Sequence, residues 1–294
     1  MKRLPKRNRR EFMLAAAGLL VLPVGIRPAH GEGQVIRFGV TPAFLHDRQQ
    51  VLKAWQTYMS RRLGKTIQFI RRDSYRETME LIRRNQIDFA WICDYPYLRL
   101  EDKVRLLAVP RYQGRPAYRS YLIVGIGDTT TKSYKDLGGK IFAYADPYSN
   151  TGYLAPRFEI RRQGDDPASY FRKTFFTWSH RKVIEAVASG LANAGAVDSY
   201  VWESLAKVEP ELTGKTRIVW RSPEFGFPPL IAHAGNVGEG EFKTMQTLLL
   251  GMAADKEGRK ILQSLNLDDF TIGNRSLYES VADMMRVFGE YPAR

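Results

Sequence analysis

From residue 35 onward the apolar positions of this chain change period repeatedly between two and about three and a half. Val35-Ile-Arg-Phe-Gly-Val-Thr41 alternates and then breaks at Pro42, which predicts a strand running into a loop. Across residues 47–63, Val51, Leu52, Trp55, Tyr58, Met59 and Leu63 recur at spacings that put them on one face of a helix. A second strand is predicted over 67–71. Ser74 followed by Glu77 then has the form of a capping box opening a helix to residue 84. Residues 87–92 are apolar enough for a strand covered on both faces, and 104–109 read as a fourth. A second series follows 118–124: a strand at 140–145, a helix after Ser149, a strand at 175–178, a helix over 180–189 and a strand at 194–198. Strands at 217–220 and 230–233 follow, then helices from 239 to the C-terminus. Strands alternating with helices predict an α/β protein with parallel or mixed sheets. Two such series joined by extended segments at 118–124 and 217–232 predict two lobes that the chain crosses between twice. The expected boundaries are 32–120 plus 225–294 for the first lobe and 121–224 for the second.

In open α/β sheets ligands lie beyond the carboxyl ends of the strands. Thr41, the segment Cys93–Tyr97, Ser149–Thr151 and Asp198 all fall there. The most informative of these is Asp146-Pro-Tyr-Ser-Asn-Thr-Gly-Tyr153, between a strand and a helix. Three short polar side chains stand where a new helix exposes unbonded N–H groups, an arrangement that holds an oxyanion without a lysine. The same residue types are also ordinary N-caps.

Charge and targeting sharpen the picture. The first 31 residues carry seven Lys or Arg and one Glu, then an apolar stretch from Phe12 to Leu22 and small residues around 28–31, which predicts an export signal. Arg9-Arg10-Glu11-Phe12-Met13-Leu14 is close to a twin-arginine signal. The stretch falls short of the about 20 apolar residues of a membrane span, so a periplasmic destination is expected, with an uncleaved anchor as the alternative. That segment accounts for +6 of the net charge of +14, leaving a surplus near +8 spread over dispersed pairs such as Arg71-Arg72, Arg83-Arg84 and Arg161-Arg162. No basic track for nucleic acid results. Cys93 is the single cysteine, which excludes a disulfide within the chain. No His-Glu-x-x-His, paired cysteines, Gly-x-Ser-x-Gly elbow or Gly-Lys-Ser/Thr phosphate loop occurs, so no metal, cofactor or catalytic group is expected. The rival enzyme reading takes Cys93 or Ser149 as a nucleophile and His180 as its base.

Several ordered segments resemble the periplasmic phosphate, phosphite and phosphonate substrate-binding proteins of ABC transporters. They are Asp88-Phe-Ala-Trp91 with Tyr95-Pro-Tyr97, the Asp146–Tyr153 loop, Ser179-His180 with Glu185-Ala-Val-Ala-Ser-Gly190, and Ala196-Val-Asp198. The resemblance implies a two-lobed, type II periplasmic binding protein-like fold, each lobe a mixed sheet flanked by helices, with two hinge crossings. It implies that Ser149, Asn150 and Thr151 hold ligand oxygens, that His180 donates from the second lobe, and that Tyr95 or Tyr97 closes the first-lobe side. Asp198 either pairs with a cationic part of an aminoalkylphosphonate or caps the helix starting near Ser199. The partner is then a transporter permease, the working form a monomer and the ligand a small oxyanion. Cys93-Asp94 and Asn193 depart from the family pattern. A thiol at a strand end suits a thiophilic ligand such as arsenite, which leaves open a sensor that signals to a membrane histidine kinase.

Overall fold

The computed structural model describes residues 35–41 and 49–292. The export signal, the loop after Thr41 and the first two residues of the predicted helix lie outside the described residues. The strands are β1 (Val35–Val40), β2 (Thr66–Arg71), β3 (Phe89–Trp91), β4 (Val104–Arg111), β5 (Ala117–Tyr118), β6 (Ser120–Gly125) and β7 (Ile141–Tyr144). They continue as β8 (Lys173–Phe176), β9 (Ala194–Asp198), β10 (Thr216–Arg221), β11 (Phe225–Gly226), β12 (Leu230–His233) and β13 (Asp269–Thr271). The helices are α1 (Gln49–Leu63), α2 (Tyr75–Arg83), α3 (Asp94–Arg99), α4 (Ala155–Arg162) and α5 (His180–Ala188). After them come α6 (Ser199–Val208), α7 (Pro210–Thr213), α8 (Glu239–Gly251), α9 (Lys256–Leu265) and α10 (Glu279–Val287).

Two mixed sheets carry the two lobes. The first has the order β13-β4-β12-β3-β1-β2, with β1 parallel to β2 and β3, and β12 antiparallel to β3 and β4. The second has the order β10-β6-β9-β7-β8, with β7 parallel to β8 and β9, and β6 antiparallel to β9 and β10. The two-lobed fold expected from the pattern is therefore the fold observed.

The chain passes between the sheets at β5 and β11, which pair antiparallel as a two-stranded ribbon with Tyr118 opposite Phe225. The extended run 118–124 is not one strand: it breaks at Arg119, leaving β5 in the ribbon and β6 in the second sheet. The run of helices expected after 239 is also interrupted. Asp269–Thr271 adds an edge strand to β4, too short for its pattern to show in the sequence. Ser74 caps α2 through Glu77 N at 3.2 Å, but the Glu77 carboxylate takes Asp73 N rather than returning to Ser74.

Each lobe has its own core. In the first, the fully buried Trp55 of α1 packs its ring against Phe38, Phe69, Trp91 and Phe270 at 5.5–6.3 Å. Burying a large side chain of this kind contributes about 1.5–3 kcal/mol. The second sheet separates two apolar clusters, one around Ile123 and Val183 and one around Phe142 and Tyr144. These cores hold the carboxyl ends of β1, β3, β7 and β9 rigidly, and the chemistry lies at those ends.

Candidate ligand site

The loop after β7 builds its helix entrance unusually. Ser149 is the cap, its Oγ accepting Gly152 N at 3.0 Å, and residues Asn150–Leu154 form a π turn before α4 begins. The widened turn is closed by Leu154 N to Ser149 O at 3.0 Å, and such π bulges recur at functional sites. Gly152 is required by close approach: a Cβ there would stand 2.5 Å from Ala145 Cβ, 2.9 Å from His180 Cε1 and 3.0 Å from Ser149 Oγ. Ser149, Asn150 and Thr151 are fully buried.

His180 opens α5 and faces this loop. Asp198 N donates to its Nδ1 at 3.1 Å, so the remaining nitrogen carries the hydrogen. That Nε2–H lies 3.3 Å from Ser149 Oγ and 3.5 Å from the Tyr75 hydroxyl. Burial drives the imidazole down to about 3, which makes it a neutral hydrogen-bond donor at physiological pH.

The first lobe supplies the opposite wall. Asp94, at the start of α3, accepts at Oδ1 from Cys93 Sγ (3.0 Å), Tyr95 N (2.9 Å) and the Tyr118 hydroxyl (2.9 Å). Its Oδ2 accepts Asn150 Nδ2 at 2.8 Å, a bond between the lobes. Burial raises this carboxyl to about 6, against the pull of its donors. A second link runs through Asp146, which accepts Tyr75 N at 3.1 Å from the first lobe and Tyr148 N at 2.8 Å from its own loop. Three polar atoms in this region are buried with no protein partner among the described residues: Thr41 Oγ1, Asn150 Oδ1 and Thr151 Oγ1.

The structure thus brings Ser149, Asn150, Thr151 and His180 together, with Cys93 on the facing wall through Asp94. Thr41, at the end of β1, has one of the two orphaned hydroxyls. The two tyrosines taken from the resemblance make further contacts: the Tyr95 hydroxyl donates to Glu290 at 2.7 Å, and the Tyr97 ring packs edge-on against Tyr278 at 4.9 Å. α3 turns Tyr97 into first-lobe packing, while the Tyr95 ring stacks on Tyr148 of the loop at 6.0 Å with its hydroxyl turned to Glu290. Tyr75 and Tyr118 present hydroxyls to the site. The rule that placed Thr41 and Cys93 at strand ends applies equally to β2, and following it through the Ser74 cap leads to Tyr75; Tyr118 carried no comparable signal. Asp198 caps α6, accepting Tyr200 N at 2.8 Å and Val201 N at 3.2 Å. Asn193 is exposed and binds Ile141 N at 2.9 Å, outside the site.

This geometry bears on the rival chemistries. Burial and the adjacent Asp94 push the Cys93 thiol well up, and its S–H is donated to that carboxylate, so it is not the thiolate that a soft metalloid ligand requires. Ser149 and His180 are adjacent, but the histidine presents N–H rather than a lone pair and has no carboxylate behind it, the reverse of a general base. Among the described residues no three His, Cys, Asp or Glu side chains form a group able to hold a metal ion, and no helix is long and apolar enough to cross a membrane.

Two α/β lobes closing on a loop of neutral oxyanion donors define a solute-binding protein. The chain belongs to the periplasmic substrate-binding proteins of phosphonate ABC transporters, whose family model matches residues 38–278. It is 24% identical over 270 residues to the phosphonates-binding periplasmic protein of Escherichia coli, covering 87% of this chain and 78% of that one. The crystal structure of a phosphonate-transporter binding component from Pseudomonas aeruginosa superposes with a TM-score of 0.80 at 22% identity, over 87% of this chain and 86% of the other. A Prochlorococcus marinus protein in complex with methylphosphonate superposes with a TM-score of 0.77 at 22% identity, over 87% and 98%.

Proposed function

We propose that this protein captures a small phosphorus oxyanion, with alkylphosphonates the favoured class, between its two lobes and delivers it to an ABC permease. The observation that carries this reading is the convergence of Ser149, Thr151 and the His180 Nε2–H on one buried loop, with the Thr151 hydroxyl unspent. Neutral hydroxyl, amide and imidazole donors aimed at one point suit a tetrahedral oxyanion. The bound methylphosphonate of the Prochlorococcus structure is in accord with this class. Export by a twin-arginine route and a monomeric working form complete the proposal, both resting on the sequence.

The test is a thermal-shift panel on the chain from Glu32, using methylphosphonate, 2-aminoethylphosphonate, phosphite, phosphate, sulfate and arsenite. A ligand at 100 times its Kd stabilises by about 2.7 kcal/mol. Stabilisation by a phosphonate, with none by arsenite, is the expected result. A response to arsenite alone overturns the reading.

A further inference from the structure

The oxyanion loop contains one side chain whose orientation is dictated from outside it. Asn150 Nδ2 donates to Asp94 Oδ2 at 2.8 Å and lies 3.4 Å from the Tyr118 hydroxyl. That hydroxyl spends its only hydrogen on Asp94 Oδ1, so it can accept from Asn150 but not donate to it. Asp94 Oδ1 also takes the Cys93 S–H and the Tyr95 N–H, which keeps the carboxylate an acceptor on that side. Turning the Asn150 amide over would set its carbonyl against the carboxylate. The amide is therefore pinned, and its Oδ1 is left buried without a partner among the described residues. A serine or threonine at this position can donate or accept, whereas the pinned asparagine offers lone pairs alone.

A lone pair facing a fully ionised oxyanion is repulsive, and it becomes a bond only when the ligand oxygen carries a proton. The charges around the site point the same way. The titratable groups facing it are Tyr75 on α2, Cys93 and Asp94 at the start of α3, Tyr118 on β5, Asp146 in the loop, His180 on α5 and Asp198 at the end of β9. All are acids except His180. None of the described hydrogen bonds within this set comes from a lysine or arginine.

We infer that the Asn150 carbonyl, held in place by Asp94, selects oxyanions that carry an acidic proton, so that the ligand is bound as its protonated monoanion with the P–OH donating to Asn150 Oδ1. An unprotonated tetrahedral dianion of similar size, such as sulfate, is rejected. This inference rests on the phosphorus-oxyanion reading and adds the protonation state to it. Asp94 acts here as a positioning residue.

The experiment is isothermal titration of the chain from Glu32 with methylphosphonate and with sulfate, from about pH 7 to about pH 9. Phosphoryl groups lose their second proton near neutrality, around pH 6 in phosphate monoesters. Over the same interval the site tyrosines and Cys93 are pushed upward and His180 downward, which leaves the ligand's proton and the buried Asp94 and Asp198 carboxyls, both raised by burial. A parallel series with phosphite assigns the change to the ligand when its midpoint moves with the ligand's own second ionisation. The expected result is an apparent Kd for methylphosphonate that weakens about tenfold per pH unit above its second ionisation, with no binding of sulfate. In Asp94→Asn the new side-chain amide meets Asn150 Nδ2 and releases the pin, so the pH slope flattens and sulfate binds. A wild-type Kd that stays constant or tightens as methylphosphonate becomes a dianion overturns the inference and leaves the phosphonate reading standing. Failure of methylphosphonate, phosphite and phosphate to bind at any pH removes both. The wild-type series decides the matter even where Asp94→Asn fails to fold.

Discussion

Thr151 offers the sharpest test of the site, because its hydroxyl is fully buried and bonds to nothing in the protein among the described residues. Thr151→Val removes that oxygen while keeping the branched shape. An unsatisfied buried polar group costs about 1–3 kcal/mol, so the variant should be more stable than the wild type by roughly 1 kcal/mol in ligand-free urea unfolding. A hydrogen bond to a charged group contributes about 1.5–3 kcal/mol, so the affinity for methylphosphonate should fall about 10- to 150-fold by calorimetry. Ser149→Ala is the contrast. Its oxygen caps the π turn through Gly152 N, so its loss should lower stability by about 1 kcal/mol as well as affinity. A Thr151→Val protein that is destabilised and binds with unchanged affinity would show the hydroxyl to be structural and would take the loop out of the ligand site.

Two further outcomes follow from the titratable groups. His180 is held near 3, below its unfolded value of about 6.5; a histidine kept neutral stabilises fully above its unfolded pKa, and that stability is lost as pH falls through the folded one. The wild type should therefore lose roughly 4 kcal/mol between about pH 6.5 and pH 3, and His180→Gln should show a flatter acid limb in unfolding curves across that window. A limb of equal steepness in the variant would assign the acid loss to other groups. Asp146→Asn replaces one of the two carboxylate oxygens, of which Oδ2 takes Tyr75 N and Oδ1 takes Tyr148 N. With the local Tyr148 bond kept and the Tyr75 bond lost, its apparent affinity should fall about tenfold, the cost of one charged hydrogen bond, and small-angle scattering of the ligand-free protein should show a larger radius of gyration. An unchanged radius would mean that this bond does not hold the lobes together.

How much of this was legible beforehand depends on the range of the interaction. The α/β alternation, the two lobes and the loop at Ser149–Thr151 follow from local patterns: period, capping residues and position after a strand. His180 was legible only through family resemblance, since a lone histidine starting a helix has no periodic signature. The side-chain directions of Tyr95 and Tyr97 have a different origin. Both lie on the strand-end segment, where α3 begins at Asp94 and its short turn carries the Tyr95 hydroxyl toward Glu290 and the Tyr97 ring toward Tyr278. That rotation is set by contacts about 180 to 195 residues away, which no window of sequence contains. Asp94 illustrates the converse. It departs from the family pattern, and a carboxylate beside an oxyanion repels it. The resolution is three-dimensional: four donors, one of them from the other lobe, absorb the carboxylate and leave it to orient Asn150 rather than to face the ligand.

The same inventory explains why closure should depend on ligand. In the closed arrangement Thr41, Asn150 and Thr151 each hold a polar atom with no protein partner among the described residues, a burden on the order of 1–3 kcal/mol apiece. Opening the cleft relieves it, because water then reaches those atoms, but it breaks the links from Asn150 to Asp94 and from Tyr75 to Asp146. Other lobe-to-lobe bonds, from Arg157 to Glu290 and from the Tyr75 hydroxyl to His180, add to what opening must break. The three orphaned atoms oppose them, so a ligand that bonds those atoms shifts the population by its differential affinity for the closed form. An oxyanion that satisfies the three atoms removes the burden only in the closed form. The strength with which it closes the lobes is then tied to how many of those atoms it can bond. A ligand lacking the proton for Asn150 Oδ1 would leave one of the three unsatisfied, so specificity and closure are read from the same atoms.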